Sequence, residues 1–150
     1  MSKLPTIKIL FYLAGDDFSE QDISNELGVV ADDFRAKDDW PDVIKNNKNL
    51  QEQIKIETVW CVSIKEEHSY AVSKQFEKMI NMFKDKKDII SKLREKLGLV
   101  ANFEIVINME IGDEPEMVLT KEIINFASSL DAEIGFDMYV FCEHESLDCT

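Results

Sequence analysis

Four stretches of this chain place apolar residues at every second position, and between them lie segments whose apolar spacing is three or four residues. Successive side chains of a β-strand point to opposite faces, so period-two alternation marks a strand with one buried face, and the longer spacing marks a helix with one buried stripe. In the first stretch Ile7, Ile9, Phe11 and Leu13 alternate with Lys8, Leu10 and Tyr12. The second runs from 54 to 64, with Ile54, Ile56, Trp60, Val62 and Ile64 on one parity and Lys55, Glu57, Val59, Cys61 and Ser63 on the other. The third sets Phe103, Ile105, Ile107, Met109 and Ile111 against Glu104, Val106, Asn108 and Glu110; the fourth sets Ile134, Phe136, Met138 and Val140 against Gly135, Asp137, Tyr139 and Phe141.

Helical signals fill the intervals. Ser19 followed by Asp22 reads as a capping box, Phe18 and Ile23 as a hydrophobic staple, and Gly28 as a C-terminal stop, which predicts a short helix over 20–27. Val72, Phe76, Met79, Ile80 and Phe83 form one stripe that Ile90, Leu93 and Leu97 resume, so 69–97 is either one long helix with a polar waist or two helices broken near Lys84 to Lys87. A third helix is expected over 120–130, with Thr120 as N-cap. Residues 29–53, rich in Asp and interrupted by Trp40 and Pro41, read as a long, partly structured loop. The expected fold is a single α+β domain: a mixed sheet of four to five strands, with a short helix, a long or broken helix and a C-terminal helix packed mainly on one face. The tail, about 143–150, is expected to be poorly ordered.

The 150 residues suit one domain with one core. Thirty acidic residues against seventeen basic give a net charge of −13, which disfavours nucleic acid and anionic lipid as partners. The charge is unevenly spread: residues 16–42 carry −8 and 103–150 carry −11, whereas 43–102 carry +4. No run approaches the ~20 apolar residues of a membrane span, no secretory leader is visible at Met1, and three cysteines form no disulfide framework. A cytoplasmic protein with reduced thiols is the expectation.

Several features together resemble the bacterial domain-of-unknown-function family 4279. They are Phe11 to Asp17 (FYLAGDD) leading into the helix that ends Glu26-Leu27-Gly28, the Trp60 strand, the 69–97 helical segment, Pro115 with Val118-Leu119, and Ala132 to Tyr139 (AEIGFDMY). The chain departs from the family's pattern at Asp32 to Trp40, where a basic, glycine-containing turn is replaced by DDFRAKDDW. The resemblance implies a compact sheet-and-helix domain and no particular activity.

The residues themselves assemble no familiar catalytic, cofactor or metal motif. Asp16 and Asp17 stand at a strand C-terminus, where α/β proteins often place ligands, but the stronger reading is a Gly-Asp-Asp turn before a capped helix, where acids favour the positive end of the helix dipole. Cys142, His144 and Cys149 offer soft ligands at a spacing that fits no standard zinc motif. His68 has no nucleophile in a recognisable context. The second parity of the sheet, with Leu10, Tyr12, Val59, Cys61, Val106, Tyr139 and Phe141, is either an aromatic binding face or a surface covered by the 29–53 segment. The leading expectation is a non-enzymatic domain that binds a basic protein partner through Asp16, Asp17, Asp32, Asp33, Asp38, Asp39, Trp40, Tyr12 and Tyr139, most concretely an immunity-type inhibitor of a toxin encoded next to it, acting as monomer or dimer. The alternatives are an enzyme or small-ligand binder built from Asp16, Asp17, His68 and Asp137, and a housekeeping self-assembly module.

Overall fold

The computed structural model describes residues 5–51 and 55–142. One five-stranded sheet has the order β2-β3-β1-β4-β5, where β1 is Thr6–Gly15, β2 Asp33–Arg35, β3 Thr58–His68, β4 Val100–Glu110 and β5 Glu133–Phe141. β1 sits at the centre, antiparallel to β3 and to β4; β2 runs antiparallel to β3, and β5 is parallel to β4. The sheet is therefore mixed and the domain α+β, as the alternation of periods predicts.

The alternation decides which face is buried. Ile7, Ile9, Phe11 and Leu13 of β1, Trp60 and Val62 of β3, and Ala101, Phe103, Ile105, Ile107 and Met109 of β4 all enter one core cluster. The helices cover that face: α1 (Glu20–Leu27) with Ile23 and Leu27, α4 (Val72–Phe83) with Phe76, Met79, Ile80 and Phe83, α5 (Lys87–Leu97) with Ile90 and Leu93, and α6 (Lys121–Ser129) with Ile123, Phe126 and Ala127. Phe103 is the aromatic hub, its ring centroid 4.8 Å from Phe11, 5.1 Å from Phe76 and 5.8 Å from Phe126.

Both N-caps read from the sequence form. Ser19 and Asp22 make the reciprocal capping box of α1, and the Thr120 hydroxyl accepts from the Ile123 amide. Gly28 and Gly98 end their helices in the left-handed region at φ 66°, which glycine adopts without a Cβ penalty. The 69–97 segment is two helices: the Lys86 amide donates to the Phe83 carbonyl in a tight turn, and the Lys86 ammonium donates to the Leu27 carbonyl at the end of α1. That contact satisfies a helix C-terminal carbonyl with a cation, and it explains the polar waist of the stripe.

Three expectations need correction. The segment expected as a loop over 29–53 is more ordered than that across its described residues, 29–51, which hold β2, a 3-10 turn over Lys37–Asp39 and two single-turn helices, α2 (Asp42–Lys45) and α3 (Lys48–Gln51). The second strand starts and ends four residues later than its alternation suggests, because Lys65 to His68 continue the ladder beyond the core, where nothing apolar marks the strand. Cys61 is a free, buried thiol, but Cys142 is disulfide-bonded, so three reduced cysteines no longer argue for a reducing compartment. Among the described residues no helix is long and apolar enough to cross a membrane.

Candidate functional site

The face of the sheet opposite the core carries no helix among the described residues, and strand registers place its side chains in rows. One row crosses all five strands: Asp33, Cys61, Tyr12, Asn102, Glu133. Next to it run Ser63, Leu10, Glu104 and Gly135; then Lys8, Val106 and Asp137; then His68, Thr6, Asn108 and Tyr139. The 29–51 segment meets this sheet at its edge. It adds β2 to the sheet's edge, sends Phe34 to the core side against Phe18, and is pinned by the Trp40 indole, which donates to the Glu57 carbonyl at 2.8 Å beneath the Arg35 guanidinium.

The face mixes the apolar side chains of Leu10, Tyr12, Cys61 and Val106 with Lys8 and Asn102, and the carboxylates of Asp33, Glu104, Glu133 and Asp137 stand among them. The Tyr12 hydroxyl donates to Glu104 Oε2 at 3.1 Å across β1 and β4. Burial first, then the nearby Cys61 and Glu104, push the Tyr12 phenol above its ordinary pKa. Cys61 is only 5% exposed, and burial followed by the carboxylates of Asp33 and Asp32 pushes its thiol up to about 12. Asp32 is fixed at this edge by accepting from the Ser63 amide at 2.7 Å. Beside Tyr12 a hollow of about 350 Å³ opens between Glu104 and Glu133, floored where Gly135 presents no side chain. An added Cβ there would meet nothing closer than the Phe103 carbonyl at 3.9 Å, so the hollow reflects the absence of a side chain and not a backbone that only glycine can adopt.

The residues singled out from sequence separate into groups. Asp32, Asp33 and Tyr12 belong to the open face. Asp16, Asp17, Asp38 and Asp39 are exposed at the end of β1 around Lys37, whose ammonium holds the Asp16 carboxyl below its ordinary pKa. Trp40 anchors its own segment, and Tyr139 shares the open face but lies on the far strand, donating to Asp137 at 3.0 Å. The proposed set Asp16, Asp17, His68 and Asp137 does not converge: Asp16 follows the last residue of β1 while His68 pairs with its first, Thr6, a separation of ~30 Å along a ten-residue strand. Among the described residues no three His, Cys, Asp or Glu side chains form a metal-holding group; His144 and Cys149 lie outside the described residues.

Glu104 and Glu133 were not singled out from sequence as binding residues. The signal for Glu104 is its parity, opposite to Phe103 and Ile105, which places it beside Tyr12 once β1 and β4 are known to be neighbours.

The chain belongs to the family DUF4279, a domain of unknown function, whose sequence model matches residues 5–141. No curated protein and no solved structure matches it.

Proposed function

We propose that this domain is a non-enzymatic protein-binding module that docks a basic partner on its uncovered sheet face, and in the most concrete form is an immunity-type inhibitor of a toxin encoded beside it. The observation that carries the reading is the Asp33–Cys61–Tyr12–Asn102–Glu133 row with Glu104 beside it: Tyr12 and Cys61 flanked by carboxylates, on a face without a covering helix among the described residues. Interfaces combine a desolvated centre with a polar rim. A lysine or arginine of the partner enters the hollow between Glu104 and Glu133, its stem against the Tyr12 ring. Such a basic group would otherwise contact nucleic acid, so its capture occludes the toxin's substrate cleft. Acidic surfaces also accelerate encounter with cationic partners, from ~10⁵–10⁶ toward 10⁸–10⁹ M⁻¹s⁻¹ at low salt.

The test is co-purification with the product of the adjacent toxin-like gene, followed by association kinetics. The Glu104→Lys, Glu133→Lys double variant should slow association by roughly 10- to 100-fold at low salt. The same reversal at Asp38 and Asp39, away from the face, should have a smaller effect. Absence of binding, or binding indifferent to Glu104 and Glu133, would sink the proposal.

A further inference from the structure

Among the described residues the two edges of the sheet are unlike. β2 is three residues long and presents Asp33 and Arg35, a short, charged edge of the kind that resists strand addition. β5 is nine residues long, has no proline or lysine, and leaves Phe136 and Met138 43%, Tyr139 48%, and Val140 and Phe141 53% exposed. At ~200 Å² for a large apolar side chain, these five expose roughly 450 Å². Across a symmetric pair these side chains present about 900 Å², the upper limit of the side-chain surface that edge pairing can bury, against the ~1,200 Å² lower bound of a specific interface.

We infer that β5 pairs antiparallel with β5 of a second copy, centred on Met138, to form a continuous ten-stranded sheet. The Phe141 carbonyl accepts from the Ile111 amide on the β4 side, so the backbone groups of Phe141, Tyr139 and Asp137 face β4, and those of Phe136, Met138 and Val140 face outward. Only registers that join outward residues to outward residues are then allowed. Centring on Asp137 would set Asp137 against its twin, a like-charge pair that opposes the sheet. Centring on Met138 instead sets Asp137 opposite Tyr139 of the second copy, Phe136 opposite Val140, and Gly135 opposite Phe141. Tyr139 already donates to Asp137 within one chain, so the same donor and acceptor are matched across the axis. The twofold lies normal to the sheet and leaves both acidic faces on the same side. Their repulsion is screened by salt, so this dimer strengthens as salt rises, opposite to the charge-driven docking proposed above.

Light scattering after size exclusion tests this on the full chain at ~50 µM, above the micromolar dissociation constants that interfaces of this size support. The expected mass is twice 17.3 kDa, falling to the single-chain value in Met138→Arg, with an unchanged circular dichroism spectrum. On mild oxidation Met138→Cys should crosslink, because its twin lies ~5.5 Å away between Cα atoms, whereas Asp137→Cys should not, its twin being ~7–8 Å off on the diagonal. A wild-type monomer at that concentration, a dimer that survives Met138→Arg, or preferential crosslinking at Asp137→Cys would overturn the inference. So would protection of the Met138 amide from hydrogen exchange only after the neighbour-encoded protein is added, which would assign the edge to a foreign strand.

Discussion

Cys61 provides the sharpest quantitative check on the open face, because it is nearly buried there without a helix above it. Its thiol is pushed from 9.0 up to about 12, by burial first and then by Asp33 and Asp32. The sign follows from proton counting. Between pH 9 and about 12 the unfolded chain releases the thiol proton while the folded chain retains it, so stability falls as pH rises. Below pH 9 both states hold the proton and the group has no effect. From pH 8 to pH 10 the loss amounts to ~1.3 kcal/mol, set almost entirely by the unfolded value, and about 1 kcal/mol once screening by water at the uncovered face is allowed for. Urea unfolding at pH 8, 9 and 10 should show this slope in wild type and a slope reduced by that amount in Cys61→Ala, Tyr12 supplying the remainder above pH 10. Comparing slopes avoids the constant cost of the missing sulfur. Iodoacetamide offers a second readout: at pH 8 native Cys61 should react about a thousandfold more slowly than in urea, since the thiolate fraction falls by three orders of magnitude. Equal slopes in the two proteins, or equally fast labelling folded and unfolded, would refute the description of this face.

Two further perturbations address the fold that carries the face. Phe103→Ala removes the ring shared by Phe11, Phe76 and Phe126 and should cost ~3–5 kcal/mol, lowering the thermal midpoint by about 10 °C in differential scanning calorimetry. Ser19→Ala removes the acceptor for the Asp22 amide and should cost ~1 kcal/mol, with Ser19→Gly milder than Ser19→Ala in the same assay.

How far the sequence carried depended on whether a local pattern existed to be read. Ile7 to Leu13 and Phe103 to Met109 alternate without exception, and both buried faces follow directly from them. Ser19, Thr120, Gly28 and Gly98 mark helix ends because orphan backbone groups need a partner or a left-handed residue there. Asp33 to Arg35 could not be recognised as a strand, because three residues show no period and their pairing with Val59 to Cys61 is a long-range event. Strand order is likewise non-local: β1 lies between β3 and β4, so Tyr12 meets Glu104, 92 residues away. Of the partner-binding acids chosen from sequence only Asp32 and Asp33 reach the face, whereas Glu104 and Glu133 come from separate strands and are sparse in each.

The uneven charge along the chain becomes a difference between the two sides of the domain. The basic middle supplies α4, α5 and their connection, where Lys74, Lys78, Lys84, Lys92 and Lys96 are exposed on the helical layer. The acidic flanks supply Asp32 and Asp33 beside β3, and Glu104, Glu110, Glu133 and Asp137 on β4 and β5. A net charge of −13 therefore understates the field above the open face, since part of the compensating charge lies a sheet and a helix layer away. Two layers ~10 Å apart are separated by about one Debye length at 0.1 M salt, so a cationic partner approaching the sheet is largely shielded from the lysines behind it. Orientation follows from this separation: the carboxylates of the sheet face attract the partner more strongly than the nearly balanced charges of the helical layer do. Replacing helical lysines should consequently change association rates far less than replacing Glu104 and Glu133, although each substitution alters net charge by a comparable amount.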